Sequence, residues 1–393
     1  MTDPISAFID HMRDVECAQD AAVQITADDK MHRLRLDGDK PKVENGRYIL
    51  RVEPDGVAVG GCMNFRDGIW HKWHIKAARK TTDAERAEWK ARADAARKAQ
   101  DKARSDEAAA AAIKASEIWK AATPTGSNAY LTRKGFTAEV LGCRMSRGSV
   151  VGPMWADGKI TGLQFIDDDG GKLFLKSSAK EGAYHAIKGE GELLVIGEGL
   201  ATMGAIHASI GCSVIVAFDG GNLKPVSQVM RKKYPEKRIV IAADGDQWTL
   251  PASKRPADWD NPPGDDPRWQ EWRDAGLCVN TGADKAAQAA VSIGGALVLA
   301  PPIPATDADK RTDWWDYWNT AGENAVKLAF DAALNPPHHD DDPEYDGWEP
   351  DYEAIAGVVS DPEHVFPAQT ILLEVRPLGF SDNILYFFPR SCG

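Results

Sequence analysis

Cysteine is scarce in this 393-residue chain, with six residues at positions 17, 62, 143, 212, 278 and 392 and the closest two 45 apart. No CxxC pair occurs, which argues against a zinc ribbon and against a disulfide framework. No apolar run approaches the roughly 20 residues that span a bilayer, so no membrane partner is expected. The opening Met1-Thr-Asp-Pro-Ile-Ser-Ala lacks the basic and apolar regions of a secretory signal, which makes the cytoplasm the expected compartment. No GxxxxGK[ST] occurs, so these residues hold no P-loop motor. Proline and glycine are absent from 82–122, a stretch rich in Ala, Lys, Arg, Glu and Asp. That composition predicts one long, exposed helix over 81–123. Lys and Arg are absent from Asp340 to Glu353, where eight carboxylates stand, so 336–353 reads as an acidic linker.

What is present is ordinary in bulk: 43% hydrophobic and 27% charged residues, with a net charge of −12. That sum argues at first against a nucleic-acid partner. The charge is uneven, however, and 129–188 carries nine Lys/Arg against six Asp/Glu. Local fields, not totals, steer a polyanion.

Residues 1–80 read as a small α+β leader domain. A helix from Ile5 to about Cys17 precedes short strands, with turns expected at Asp37-Gly38, Asn45-Gly46, Asp55-Gly56 and Asp67-Gly68. Cys62, His71 and His74 are close enough in sequence to suggest metal ligands. Trp70-His-Lys-Trp-His74 reads more simply as a strand of alternating rings, and no zinc is expected. Residues 124–190 are strand-rich and basic, with hairpin turns at Asp157-Gly158 and Gly170-Gly171. From 191 to 335 short apolar strands (Leu193–Ile196, Val214–Phe218, Ile239–Ala243, Ala296–Ala300) alternate with helices (Leu200–Ile210, Leu223–Tyr234, about Asp284–Ile293). That order predicts a parallel sheet with right-handed crossovers. Residues 354–393 read as the start of a further domain, and the whole as one part of a longer protein.

The chemistry is positional. Glu198 follows Leu-Leu-Val-Ile-Gly, and Asp244 and Asp246 follow Ile-Val-Ile-Ala-Ala, so three acids fall at carboxyl ends of parallel strands, where α/β sheets bind ligands. Asp244 and Asp246 stand at i and i+2, on one side of an extended chain. Gly197 and Gly199 are expected to let the backbone turn sharply around Glu198. Clustered carboxylates repel one another, and a hard divalent cation removes that penalty.

Val195-Ile-Gly-Glu-Gly-Leu-Ala-Thr202 resembles the first motif of the topoisomerase–primase (Toprim) fold, and Ile239-Val-Ile-Ala-Ala-Asp-Gly-Asp246 resembles its DxD motif. Val214–Leu223, Asn280–Ala286 and Asp313-Trp-Trp-Asp316 are similar to further segments of phage- and plasmid-type primases. Tyr130-Leu-Thr-Arg-Lys-Gly135 is similar to the segment opening the polymerase core of bacterial primases. Met31-His-Arg33 and Asn45–Tyr48 resemble the leader domain of these proteins more weakly.

The resemblance implies an α/β fold: a Toprim-type parallel sheet with flanking helices, preceded by a mixed α+β basic subdomain and a small α+β N-terminal domain. It implies a DNA primase that makes short primers on single-stranded DNA from nucleoside triphosphates, in phage or plasmid type replication. Mg²⁺, or Mn²⁺ in its place, would be held by Glu198, Asp244 and Asp246, with Asp313 and Asp316 as further candidates because Thr202 stands where an additional acid is common. Arg133, Lys134, Lys172, Lys176, Lys180, Asn222 and Lys285 would bind nucleotide or nucleic acid. A replicative helicase, in cis or in trans, is the implied partner, and Leu378-Gly-Phe and Tyr386–Arg390 resemble the start of such a region. Two rival functions use the same residues: Toprim nuclease or topoisomerase cleavage, and a non-catalytic DNA- or helicase-binding module. The stretch 247–279 reads as an insertion in which Trp248, Trp259, Trp269 and Trp272 build a satellite core or stack single-stranded bases.

Overall fold

The computed structural model describes residues 3–335, apart from 19–23, 37–38, 40–43, 54–55, 66–68, 76–81, 247–248, 252–253, 257–258, 261 and 305–306. The acidic linker and the segment after it lie outside the described residues, as do the expected turns at Asp37-Gly38 and Asp67-Gly68 and residue 55 of the third. The chain divides into two compact units, one built from 1–100 with 251–259 and the other from 101–250 with the residues from 260 onward.

In the smaller unit, helix α1 (Pro4–Asp14) is capped by Asp3, whose carboxylate accepts the Ser6 N–H at 3.0 Å. It lies on an antiparallel sheet of β1 (His32–Leu34), β2 (Gly46–Val52), β3 (Ala58–Asn64) and β4 (Ile69–Ile75), paired in that order. The strands alternate. Leu34, Tyr48, Leu50 and Cys62 face Phe8 and Met12 of α1 in one core, with Trp73 packed against it. The strand of alternating rings is therefore real, with the Trp73 ring 5.0 Å from Phe8. Asn45-Gly46 does not form the expected hairpin turn. Gly46 already pairs with Leu34 and Asn64. A side chain there would stand 2.8 Å from Leu34 Cγ, so glycine is needed for packing.

Helix α2 (Asp83–Ala121) realises the long helix read from composition, and the division between units falls inside it, at residue 100. Within the larger unit, α3 (Ala129–Lys134) precedes an antiparallel sheet of β5 (Arg144–Ser146), β6 (Ser149–Ala156), β7 (Lys159–Ile166) and β8 (Lys172–Phe174). The β6–β7 turn is the expected Asp157-Gly158, both residues left-handed with φ of 47° and 73°.

The second sheet of this unit comprises β9 (His185–Ile187), β10 (Glu190–Gly197), β11 (Cys212–Val216), β12 (Arg238–Ala242) and β13 (Leu297–Leu299), in the order β13-β12-β10-β11-β9. The four strands from β10 onward are parallel, as expected; β9 runs antiparallel along the β11 edge. Helices α4 (Leu200–Ile210), α5 (Gly220–Lys233), α7 (Thr281–Val291), α8 (Trp314–Ala321) and α9 (Glu323–Leu334) cover it, while α6 (Arg268–Asp274) lies in the insertion. Period-two alternation sorts the strands into two cores. Val195, Val214, Val216 and Val240 point to α4, α8 and α9. Leu194, Ile196, Ile215 and Ile241 point to α5 and α7. Each such side chain contributes about 1.5–3 kcal/mol on burial, which is why the apolar runs are continuous. Among the described residues no helix is long and apolar enough to cross a membrane.

Candidate active site at the strand ends

Strands β10 and β12 pair in parallel from Leu193↔Arg238 to Ile196↔Ile241, so they end together and release Glu198 and Asp244 on the same edge. Strand β11 pairs with β10 on the other side and ends with it. There the Ala217 N–H donates to the Gly197 carbonyl at 2.8 Å and the Phe218 N–H to the Glu198 carbonyl at 3.0 Å. Phe218 then turns with a φ of 73°, a left-handed conformation that costs a bulky residue of order 1–3 kcal/mol. The turn places Asp219 as N-cap of α5, accepting the Asn222 N–H at 3.1 Å.

The Glu198 carboxylate accepts the Gly220 N–H at the start of α5. A Cβ on Gly220 would lie 2.9 Å from its Oε1, so the bare glycine makes the approach feasible. Gly197 and Gly199 serve otherwise than expected. Neither has a positive φ, and a side chain on Gly197 would collide with the Met203 sulfur. Close packing, not a sharp turn, calls for glycine at 197.

The Asp244-Gly-Asp246 segment is clasped by two later pieces of chain. The Gly245 N–H donates to the Thr312 carbonyl at 2.7 Å. Asp246 accepts the Gly282 N–H from the first turn of α7, a helix end that favours negative charge. A side chain on Gly282 would run into the Asp244 backbone carbonyl. Asp244 Oδ1 is buried with no hydrogen-bond partner.

Burial therefore governs the charge state. It pushes the Glu198 carboxyl up to about 7, aided by the neighbouring charges of Asp246 and Asp219. It pushes Asp244 well above the usual carboxylate range, aided by Asp313, Glu198 and Asp246. Asp246 is raised too, by burial, against the Gly282 N–H that favours its anion. Among the described residues no three His, Cys, Asp or Glu side chains already form a metal cage. The oxygen donors and the orphaned Asp244 Oδ1 nonetheless fit a hard cation that takes few carboxylates and completes its shell with water and phosphate.

The family model of the Toprim domain matches residues 192–248, which contain all three acids. This chain carries a Toprim domain. Two proteins of Escherichia coli, each a DNA primase TraC, are similar to it beyond that segment. One is 33% identical over 228 residues, 56% of this chain and 21% of the relative. The other is 31% identical over 233 residues, 56% of this chain and 16% of the relative. The chain thus spans about a fifth or less of the length of the curated relatives it matches. The solved zinc-binding and RNA polymerase domains of Aquifex aeolicus primase align at 10% identity over 84% of this chain and 86% of that one. The TM-score is 0.35, too low a likeness to bear on the fold.

The cations expected to bind nucleotide or nucleic acid divide in the structure. Lys172, at the start of β8, lies near enough to draw the Glu198 and Asp244 carboxyls partly back down. Lys134 stacks its ammonium 3.2 Å from the Trp315 ring centroid and faces Asp313 and Asp316. Burial lowers the Lys134 pKa, and those two acids oppose the shift. Lys180 forms an ion pair with Asp219. Arg133 donates to the Asp168 carbonyl at 2.8 Å, and Lys176 and Lys285 are exposed, the latter beside Asp284 on α7. Asn222 is placed differently from the cations. It is buried, its Nδ2 donates to the Ala183 and Ala217 carbonyls at 2.9 Å each, and its Oδ1 accepts the Gly182 N–H at 2.8 Å. These bonds tie the 182–183 loop to the end of β11.

Asp313 and Asp316 form a capping box on α8. Asp313 Oδ1 accepts the Asp316 N–H at 2.9 Å, and Asp316 Oδ2 accepts the Asp313 N–H at 3.3 Å and the Thr312 N–H at 2.9 Å. Asp313 still faces the Toprim acids, raising Asp244, and is itself raised by burial and by Asp316. In the insertion, Trp269 is buried against Trp272, ring centroids 5.0 Å apart, while Trp248 lies outside the described residues. The reading of 214–223 missed Phe218 and Asp219; an Asp-Gly-Gly-Asn run directly after an apolar strand is a helix-start signal that could have found Asp219.

Proposed function

We propose that this chain is the nucleotide-polymerising part of a DNA primase, which makes short oligonucleotides on a single-stranded DNA template from nucleoside triphosphates. The observation that carries this reading is the set of half-buried strand-end acids, Glu198, Asp244 and Asp246, raised in pKa and faced by Lys172. The similarity to plasmid primase sequences, which extends well beyond the Toprim segment, supports synthesis as the chemistry.

Asp244 and Asp246 would hold Mg²⁺, or Mn²⁺ in its place, with Glu198 beside them. Such an ion, bound there, supplies charge neutralisation at the triphosphate and activation of the attacking hydroxyl. The chain's own groups do the rest. Glu198, with a carboxyl pushed up to about 7, accepts the proton of the 3′-hydroxyl as that oxygen bonds to the α-phosphorus and pyrophosphate leaves. Lys172 meets the phosphates of the incoming nucleotide. Lys134, Arg133, Lys176 and Lys180 line the approach of the template, where phosphate contacts give affinity without sequence choice. The setting is phage or plasmid type replication in the cytoplasm, with a replicative helicase as partner.

The test is primer synthesis on single-stranded DNA with labelled nucleotides and Mg²⁺, for the wild type and for Asp244→Asn. Short products from the wild type alone are expected. Cleaved template with no product, also dependent on Asp244, would transfer the same acids to a nuclease.

A further inference from the structure

In the smaller unit, helix α1 covers one face of the β1–β4 sheet; the register fixes what stands on the other. Arg33 pairs opposite Arg47, Arg47 opposite Met63 and Met63 opposite Trp70, so one row crosses all four strands. In the neighbouring rows Lys72 stands opposite Gly61, and Arg51 opposite Val59. The strand positions on this face hold no Asp or Glu, although the whole chain carries a net charge of −12.

Like charges directly opposite each other on neighbouring strands destabilise a sheet. Arg33 and Arg47 nevertheless face each other, and burial, aided by Arg33, lowers the Arg47 pKa. Neither arginine, nor Lys72, has an ion-pair partner among the described residues. Arg47 Nε is buried without a hydrogen bond, and its guanidinium lies 4.3 Å from the Phe65 ring centroid. Arg51 is the paired one, with Glu53 and with Asp29 at 3.8 Å. Between the cations lie exposed rings. Phe65 is 42% exposed and Trp70 36%. Trp70 lies flat on the backbone of Gly61, where a Cβ would stand 2.7 Å from the indole, so the glycine lets the ring spread over the sheet.

We infer that this open face is a binding surface for single-stranded DNA, with phosphates on Arg33, Arg47 and Lys72 and bases stacked on Trp70 and Phe65. Uncompensated arginines call for a polyanion. Exposed flat rings among them call for one whose bases are free to stack, which a duplex does not offer. The row spans three strand spacings, about 14 Å across, wide enough for a few nucleotides. The choice of DNA over other single strands rests on the primase reading; the surface does not. It would grip template apart from the Toprim acids.

The test uses the full chain without nucleotides or divalent metal. A fluorescent thymidine oligonucleotide is titrated over a range of salt, and a 5-iodouracil version is photocrosslinked and its adducts mapped by mass spectrometry. Adducts at Trp70 or Phe65 are expected. Trp70→Ala should weaken binding about tenfold, the loss of one stacked base. The exposed pair Arg33→Gln and Lys72→Gln should flatten the salt slope by about 1.4, two phosphate contacts at roughly 0.7 each. Asp244→Asn should leave the adducts in place, so failed primer synthesis would not touch this result. Adducts confined to the Toprim-containing unit, with affinity and slope unchanged in both variants, would overturn the inference. So would an affinity that these variants lose equally for an acidic peptide.

Discussion

Acids in the larger unit are held in two opposite ways. Asp307 is buried, yet Arg311 grips it, with Nε at 2.9 Å and its backbone N–H donating at 2.7 Å. That guanidinium holds the Asp307 carboxyl below its usual range. Arg268 does the same for Asp266, with Nε at 3.0 Å. Among the described residues no arginine pairs with the strand-end acids. Glu198, Asp244 and Asp246 are all pushed up, with Lys172 as a distant counter-charge. At Asp307 and Asp266 the fold gives an architectural carboxylate an arginine. Under the proposed function, the charge missing beside the half-buried strand-end acids is a ligand's.

The sharpest way to break that contrast is to neutralise one acid of each kind. Asp244→Asn should cut primer synthesis by at least about 10³-fold, while the folded state, relieved of a buried charge, keeps or raises its melting temperature. Asp307→Asn should do the reverse. It leaves synthesis per folded molecule intact and costs about 1–3 kcal/mol of stability, because Arg311 loses a charged partner. If both variants lose stability alike, the division between structural and functional acids is wrong.

A second variant acts through the backbone. In Gly282→Ala the new methyl group meets the Asp244 carbonyl, so the first turn of α7 must withdraw and Asp246 loses its N–H. A displacement of about an ångström at reacting groups costs on the order of 10²-fold in rate. Assays at saturating Mg²⁺ should show the loss in kcat with the circular dichroism spectrum unchanged. A rate within twofold of wild type would mean that Asp246 does not depend on the helix end.

How much of this was legible depends on what each residue type signals by itself. The three acids were, because apolar strands followed by Gly-Glu-Gly and Asp-Gly-Asp state both the element and its end. So was α4, found where expected at Leu200–Ile210, between Gly199 and the left-handed Gly211. Long-range contacts were not legible. Nothing local says that Thr312 and Gly282 will clasp the DxD segment from residues 30 or more positions later, and that enclosure sets the charge state. Asn222 was named through the resemblance of 214–223 to primase segments, and only the structure shows its three hydrogen bonds. Asp313 and Asp316 carry the spacing of a capping box, and the sequence reading weighed them only as metal ligands. The antiparallel β9 was missed because three residues, His185–Ile187, give too short a pattern to assign a direction.

Among the lysines the same contrast predicts a smaller effect. Lys172 faces the acids, whereas Lys285 is exposed beside Asp284. Lys172→Ala should lower kcat/KM for the incoming nucleotide about tenfold, the loss of one charged phosphate contact. Lys285→Ala should change it less than twofold. Equal losses would mean that the phosphates are met from α7, and the approach to the site would have to be redrawn.

The smallest effect is thermodynamic, and its sign is fixed by the direction of the shift. Glu198 is raised from 4.5 to about 7, with burial the largest cause. The folded state therefore holds a proton that the unfolded chain has already lost between those values. Without metal, wild-type stability must fall as pH rises through that window and level off above it. Glu198→Gln carries no charge to bury. It should match the wild type near pH 4, gain on it from pH 5 to 7, and keep a lead of about 1–2 kcal/mol at pH 8 once partial exposure is allowed for. That lead corresponds to a few degrees in Tm. Added Mg²⁺ should shrink it, because a cation bound beside the ionised Glu198 stabilises the wild type by mass action and has less to neutralise in the variant. Parallel melting curves from pH 5 to 8 would mean that Glu198 ionises as freely folded as unfolded. The acids at the strand ends would then be no different in kind from those that arginine holds.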